Sequence, residues 1–187
     1  KKLKDICTKL TDGTHFSPEN LEKGQYKYVT AKNIKENGFD FTNISYVNEK
    51  VHREIFSRCN PEYGDILYIK DGVTAGIAQI NTLNDEFSLL SSVALLKQNR
   101  KIVNKYYFRE ALNNNHMDDR IRENMGGAAI TRLTIAKINV LRVPVPPIEL
   151  QNQFAEFVEK VEKQKAVMQK SLEKMEMNHK ALMQEYF

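Results

Sequence analysis

Val143-Pro144-Val145-Pro146-Pro147, followed by Ile148-Glu149-Leu150-Gln151, divides the chain into two unequal parts. Each proline removes a backbone donor and pushes its predecessor toward an extended conformation. The stretch therefore ends whatever element precedes it and separates residues 1–147 from residues 148–187. Behind it, the 39 residues from Glu149 to Phe187 hold neither glycine nor proline. Proline just ahead of a helix start costs no intrahelical bond, and Glu149 in the first turn suits the positive end of the helix dipole. The pattern predicts one long C-terminal α-helix over 148–187.

The periodicity of that helix says what it does with its apolar face. Phe154, Val161, Met168, Met175 and Leu182 fall seven residues apart without a break. A second row opens with Leu150 and Phe157, then turns polar at Gln164, Ser171 and Asn178, while its neighbour carries Val158, Leu172 and Tyr186. The stripe thus drifts by one position, as 3.6 residues per turn require of a straight helix. At 1.5 Å per residue such a helix reaches about 58 Å. A domain of about 148 residues is nearer 30–35 Å across, so it covers only the first few turns. The rest of the stripe needs a second helix, and Phe154, Phe157, Val161, Met168, Leu172, Met175 and Leu182 are the expected dimerisation residues.

Ahead of the proline cluster, short runs rich in β-branched and aromatic residues predict strands over 25–30, 44–47, 65–70, 77–80 and 91–96. Turn chemistry separates them at Asp12-Gly13, Asn37-Gly38, Gly64-Asp65 and Asp71-Gly72. Residues 104–113 and 117–124 read as helices, and the alternation Ile138-Asn139-Val140-Leu141-Arg142-Val143 reads as a half-buried strand. Strands are not regularly interleaved with helices, which disfavours a doubly wound parallel sheet. The expected fold is α+β, a curled mixed or antiparallel β-sheet with short helices, followed by the long C-terminal helix.

Of the 187 residues 41% are hydrophobic, enough for a packed core. No run approaches the roughly 20 apolar residues that cross a bilayer, so no membrane is expected among the partners. The opening Lys1-Lys2-Leu3-Lys4-Asp5 lacks the apolar run of a secretory signal, and Cys7 and Cys59, without metal spacing, read as reduced thiols. The expected location is cytoplasmic. The net charge of +4 is unevenly shared. Six lysines against seven glutamates give the helix −1, which leaves +5 on residues 1–148. That balance permits nucleic-acid binding without establishing it.

Catalytic signatures fail one by one. Asn60-Pro61-Glu62-Tyr63 resembles a base-holding Asn-Pro-Pro-Tyr loop, but glutamate replaces its second proline and no glycine-rich methyl-donor loop follows a strand. No Asp or Glu stands two residues before a Lys, as the common restriction nucleases need. The glycine-rich stretches 72–76 and 125–129 do not continue into Gly-Lys-Ser/Thr. His15, His52, His116 and His179 show no metal-ligand spacing. Neither a catalytic residue, a metal site nor a cofactor bound by this chain is expected.

What remains resembles a recognition surface. Thr14, His15, Lys32, Asn33, Lys70, Asp71, Thr74, Thr131 and Arg132 cluster at predicted strand ends beside glycines that permit close backbone approach. Lys and Thr suit phosphate oxygens, Asn suits adenine and Arg suits guanine. These nine are the candidate DNA-binding residues.

Five features in this order resemble the specificity subunit of type I restriction–modification systems. They are Asp12-Gly13-Thr14-His15, then 28–34 (Tyr-Val-Thr-Ala-Lys-Asn-Ile), then 64–72 (Gly-Asp-Ile-Leu-Tyr-Ile-Lys-Asp-Gly), then 126–133 (Gly-Gly-Ala-Ala-Ile-Thr-Arg-Leu), and the run from Ile138 to Gln153. The resemblance implies a target-recognition domain over 1–147 and a spacer helix over 148–187. Such subunits usually carry two units in tandem, their helices packed antiparallel, each domain reading half of a split double-stranded DNA site. One unit is present here, so the resemblance implies a half-length form that pairs as a homodimer and reads inverted half-sites. A helix of about 58 Å matches roughly one and a half DNA turns, one turn being about 34–36 Å. The resemblance further implies no catalysis by this chain. S-adenosylmethionine belongs to a methyltransferase (modification) subunit, and ATP and Mg²⁺ to a restriction/translocase subunit. A stand-alone DNA-binding regulator and the recognition end of a longer fused enzyme are the alternative readings. Pairing through the stripe has a direct test: Val161→Asp combined with Met168→Asp is expected to convert a dimer to a monomer by light scattering at micromolar concentration. A monomeric parent chain would refute the pairing.

Overall fold

A computed structural model describes residues 1–114 and 132–186. In chain order a 3₁₀ turn at Leu3–Asp5 leads into β1 (Cys7–Asp12) and β2 (Tyr26–Val29). A second 3₁₀ turn at Ala31–Asn33 is followed by β3 (Ile34–Lys35), β4 (Gly38–Phe39), β5 (Ser45–Val47) and α1 (Glu49–Arg58). Then come β6 (Ile66–Ile69), β7 (Ala78–Ile80), β8 (Ser88–Leu89), β9 (Val93–Gln98), α2 (Lys105–Leu112), α3 (Ile135–Val140) and α4 (Ile148–Tyr186).

The period-2 character of β6 and β9 sets the layering. Both strands are almost wholly buried, so each sends alternate side chains into a different core. Ile66, Tyr68, Ala94 and Leu96 join Phe108 and Leu112 of α2 and Ile138 of α3 on one face. Leu67, Ile69, Val93 and Leu95 join Val29, Leu89 and Phe87 on the other. The strands divide among an antiparallel sheet ordered β1-β9-β6-β7, a mixed sheet ordered β5-β2-β8 and a small β3-β4 hairpin. β2 alternates too: Val29 faces the first sheet, while Tyr26 and Tyr28 meet Ile55 of α1. The result is a helical layer, two sheets, and α1 on the outside, an α+β architecture of mixed strand sense.

Strands near 26–29, 45–47, 66–69, 78–80 and 93–98 stand where the sequence predicts them, and α2 starts after an Asn104 side chain that accepts from the Tyr106 amide at 2.9 Å. The strand predicted over 138–143 is corrected in its first half, where 138–140 end α3, while 141–143 are extended and Arg142 bridges Lys2 in antiparallel sense. Thr134 caps α3 by accepting from the Lys137 amide at 3.3 Å, and Ile135, Ile138 and Leu141 share its core-facing side at helical spacing while Val140 is exposed. Ile138 belongs to both the period-2 and the period-3 pattern, which is how the alternation misleads. The predicted helix over 117–124 lies outside the described residues. The pattern reading omits α1, although Asn48 caps it from the Val51 amide at 2.9 Å and Val51, His52, Ile55 and Phe56 form its inner face. Cys7 and Cys59 are free thiols, both pushed up to about 12 by burial.

Residues 1–3 and 141–143 run together: Leu3 N donates to Leu141 O, Val143 N to Lys1 O, and the Lys1 backbone nitrogen to Val143 O at 2.7 Å. From there α4 starts at once. Its anchor is Gln151, fully buried, which donates to Pro146 O and Ile102 O and accepts from the Asn104 amide.

α1 is held by a buried imidazole. His52 stacks on Tyr26 at 3.8 Å between ring centroids, with Nδ1 3.0 Å from Ser88 Oγ and Nε2 3.2 Å from Glu86 Oε2. With its proton on Nε2, the neutral ring donates to the carboxylate and accepts from the hydroxyl. Burial lowers its pKa, outweighing the Glu86 carboxylate, which pulls the other way. As pH falls below about 6.5 the unfolded chain takes up a proton that the folded pocket resists, so stability declines. Thermal unfolding between pH 7.5 and 5 is expected to show this slope in the parent chain and to lose most of it in His52→Gln; equal slopes would exclude His52 as the cause.

Candidate nucleic-acid interface

Sequence-distant turns converge on the segment that leads into β9. Thr14 N donates to Leu89 O at 2.8 Å, Ser91 N returns to Thr14 O at 2.8 Å, and Gly13 N donates to Val93 O at 3.3 Å. Gly13 has to be glycine here, since a Cβ would lie 2.0 Å from the Leu89 carbonyl oxygen. Ser92 ties in the next two turns: its Oγ accepts from the Ala31 amide and its carbonyl from the Lys70 amide. Leu133 N donates to Lys70 O at 2.7 Å, which sets Arg132 opposite Asp71. Backbone bonds and the Ser92 hydroxyl thus gather the 12–15, 30–33, 69–72 and 132–133 turns around one strand entrance.

An ion cluster fills the centre. Lys70, only 1% exposed, places its ammonium 3.5 Å from Asp12 and 3.3 Å from Asp71. Asp12, also buried, pairs with Arg58 Nη1 at 3.2 Å and with His15 Nε2 at 3.1 Å. Arg132 Nε stands 3.6 Å from Asp71. A buried ammonium loses several kcal/mol of hydration, and two carboxylates offset that loss. The outer cations are held in place by the same carboxylates.

This geometry sorts the nominated residues. His15, Lys32 and Arg132 are exposed, and Asp71 is half-buried between Lys70 and Arg132. The side chains of Lys70, Asn33 and Thr14 are buried and engaged within the protein, which places them beneath the exposed rim. The Lys70 ammonium is occupied by its carboxylates. The Asn33 carboxamide accepts from Thr30 N and Oγ1 and donates to Asp40 O, closing the turn that presents Lys32. Thr14 lies in the backbone ladder, its hydroxyl accepting from the Phe16 amide. Thr131 lies outside the described residues. Thr74 is exposed but stands apart, on the β6–β7 loop between Gly72 and Gly76, both at positive φ. Arg58 was missed; it ends the α1 helix, and the Asn48 cap with its apolar i, i+4 spacing was the available signal.

Thr74 faces a second feature. An open concavity of ≈1490 Å³ separates this loop from α4, lined among others by Val73, Tyr106, Phe157, Val161 and Met168. Of the nominated dimerisation residues, Phe154 touches the domain through an edge-on contact with Tyr107, and Val161 is half-buried. Phe157, Met168 and Met175 are 64%, 68% and 61% exposed, and Leu172 and Leu182 are exposed as well. Among the described residues no group of His, Cys, Asp and Glu has the arrangement of a metal site, and no helix is long and apolar enough to cross a membrane.

The cluster predicts a contrast in stability. Lys70→Met strands two carboxylates and is expected to cost about 3–5 kcal/mol, whereas Arg132→Ala at the exposed rim costs under about 1 kcal/mol. Urea denaturation measures both, and equal losses would contradict the assignment of Lys70 to the buried centre.

Residues 1–177 match the family model of the type I restriction modification DNA specificity domain. Over its full length the chain is 24% identical to the MjaX type I restriction enzyme specificity subunit of Methanocaldococcus jannaschii, covering 44% of that protein. A chain from a structural study of assembly and conformational transition in a type I R-M system superposes with a TM-score of 0.65 at 16% identity, over 97% of this chain and 42% of that one. The HsdS subunit of Thermoanaerobacter tengcongensis gives 0.57 at 15% identity, over 91% and 39% of the two chains. The S subunit of the type I system of M. genitalium gives 0.52 at 20% identity, over 92% and 43%. The chain therefore spans somewhat under half the length of these relatives and shares their fold. It belongs to the type I restriction–modification DNA specificity domain family.

Proposed function

We propose that this chain reads one half of a split DNA site within a type I restriction–modification complex, and that α4 fixes the distance to the other half. The observation that carries the reading is the convergence of four sequence-distant turns, which sets His15, Lys32 and Arg132 around one strand entrance on a buried ionic base. Lysine at the Thr30–Asn33 turn suits a phosphate, and arginine presented by a carboxylate suits a guanine edge. The exposed stripe of α4 and the concavity beside it suit a second helix of the same composition, which makes a homodimer reading inverted half-sites the expected assembly.

In this reading the chain does no chemistry. It positions a methyltransferase subunit that holds S-adenosylmethionine and a restriction/translocase subunit that uses ATP and Mg²⁺, and it works in the cytoplasm. Combined with a partner methyltransferase subunit, the protein is expected to direct adenine methylation to a discontinuous, inverted-repeat site in methylation-sensitive sequencing. Lys32→Ala and Arg132→Ala should weaken DNA binding, and removing a cation that pairs with a phosphate should reduce the salt slope by about 1. A continuous motif, or methylation indifferent to both substitutions, would refute the proposal.

A further inference from the structure

Among the described residues, contacts between α4 and the domain lie in its first turns, where they form a short seam mainly with α2. Tyr107 donates to Pro144 O at 3.1 Å and meets Phe154 edge-on at 5.9 Å. Asn104 Nδ2 donates to Asn152 Oδ1 at 2.9 Å. One turn further along, burial and then the Glu159 carboxylate push the Tyr106 hydroxyl up to about 12. The last of these contacts is ionic. Arg109, 8% exposed, pairs through Nη1 with Glu162 at 2.5 Å and through Nη2 with Glu110 at 2.6 Å, its guanidinium 5.9 Å from the Tyr106 ring centroid. Residues 163–186 continue as uninterrupted helix with exposed side chains wherever these are described.

Those 24 residues form a lever of about 36 Å. A tilt of about 10° at the seam would move the lever's end by about 6 Å, close to two base pairs at the 3.4 Å spacing of one strand. Length alone therefore does not define a distance between half-sites; the angle at which the helix leaves the domain has to be held as well. Gln151 fixes where α4 begins, but a single anchor leaves direction free. A second point a few turns on fixes direction, and Glu162 is the most distal residue of α4 with a described contact to the domain.

We infer that Arg109 and Glu162 are positioning residues that hold the angle of α4 and so set which spacer lengths between half-sites are accepted. The inference rests on the split-site reading proposed above. A guanidinium suits the role: planar and permanently charged, it binds two carboxylates from different elements at once.

Glu162→Gln tests it, because Glu162 lies on the helix surface and its replacement leaves the core intact; Arg109→Met is the companion variant. Two measurements are needed. In the first, Lys101→Cys and Lys174→Cys carry spin labels in a Cys7→Ser background, Cys59 being buried, and labelled chain is diluted into unlabelled chain. The parent distance distribution is expected to be narrow and that of Glu162→Gln broad. In the second, methylation with a partner methyltransferase subunit is read across a library of spacer lengths. The parent should reject spacers one or two base pairs off length by about a hundredfold, the scale on which small misplacements act, and Glu162→Gln by about tenfold, with the half-site sequence unchanged. An unchanged distance distribution in both variants would overturn the pivot. A broadened distribution with an unchanged spacer profile would overturn its role in specificity. Absence of split-site methylation by the parent chain would instead sink the reading on which the inference rests, while the spin-label distances still report whether the seam holds the angle.

Discussion

The two-sided burial of β6 and β9 is the constraint from which the other features follow. A strand with one wet face leaves its neighbours freedom of arrangement, but here helices must cover one side and a second sheet the other. The ends of the buried strands are then the places where polar groups can reappear, and they do so under strict conditions. At the Lys70 end of β6 an ammonium inside the layered body is matched by two carboxylates, which reach out to Arg58, His15 and Arg132. The rim side chains are thus ordered by charges that offset the buried ammonium.

Much of this was legible in the sequence. The long helix was, because 39 residues without a breaker leave little alternative, and so were the strands with β-branched or aromatic runs between glycine turns. The alternation misleads at Ile138–Val140 because a residue common to two periodicities cannot choose between them, and the Thr134 cap that decides the matter lies four residues upstream of Ile138. α1 was passed over because its inner face is made partly of a histidine, which carries weak apolar weight until the stacking on Tyr26 is seen.

At the candidate interface, sequence located the turns but not the roles within them. Lys32 and Lys70 look alike as lysines beside small polar residues, yet one is exposed and the other is 1% exposed. The difference arises from long-range pairing, since Asp12 is 58 positions away from Lys70 in the chain. Asn33 shows the same limit at short range, where its amide serves the backbone of its own turn rather than a ligand.

The pairing of residues 1–3 with 141–143 has an architectural meaning. The chain enters the layered body and leaves it for α4 at one place, like a loop drawn closed at the neck. β1 then carries it from near that neck to Asp12, about 20 Å at 3.4 Å per residue. The ion cluster and the root of the helix are therefore separated by the length of a strand whose neighbour, β9, is packed on both faces. In the proposed reading, the exposed side chains around Asp12 and the root of α4 therefore sit far enough apart for half-site sequence and half-site spacing to be separate properties of one chain.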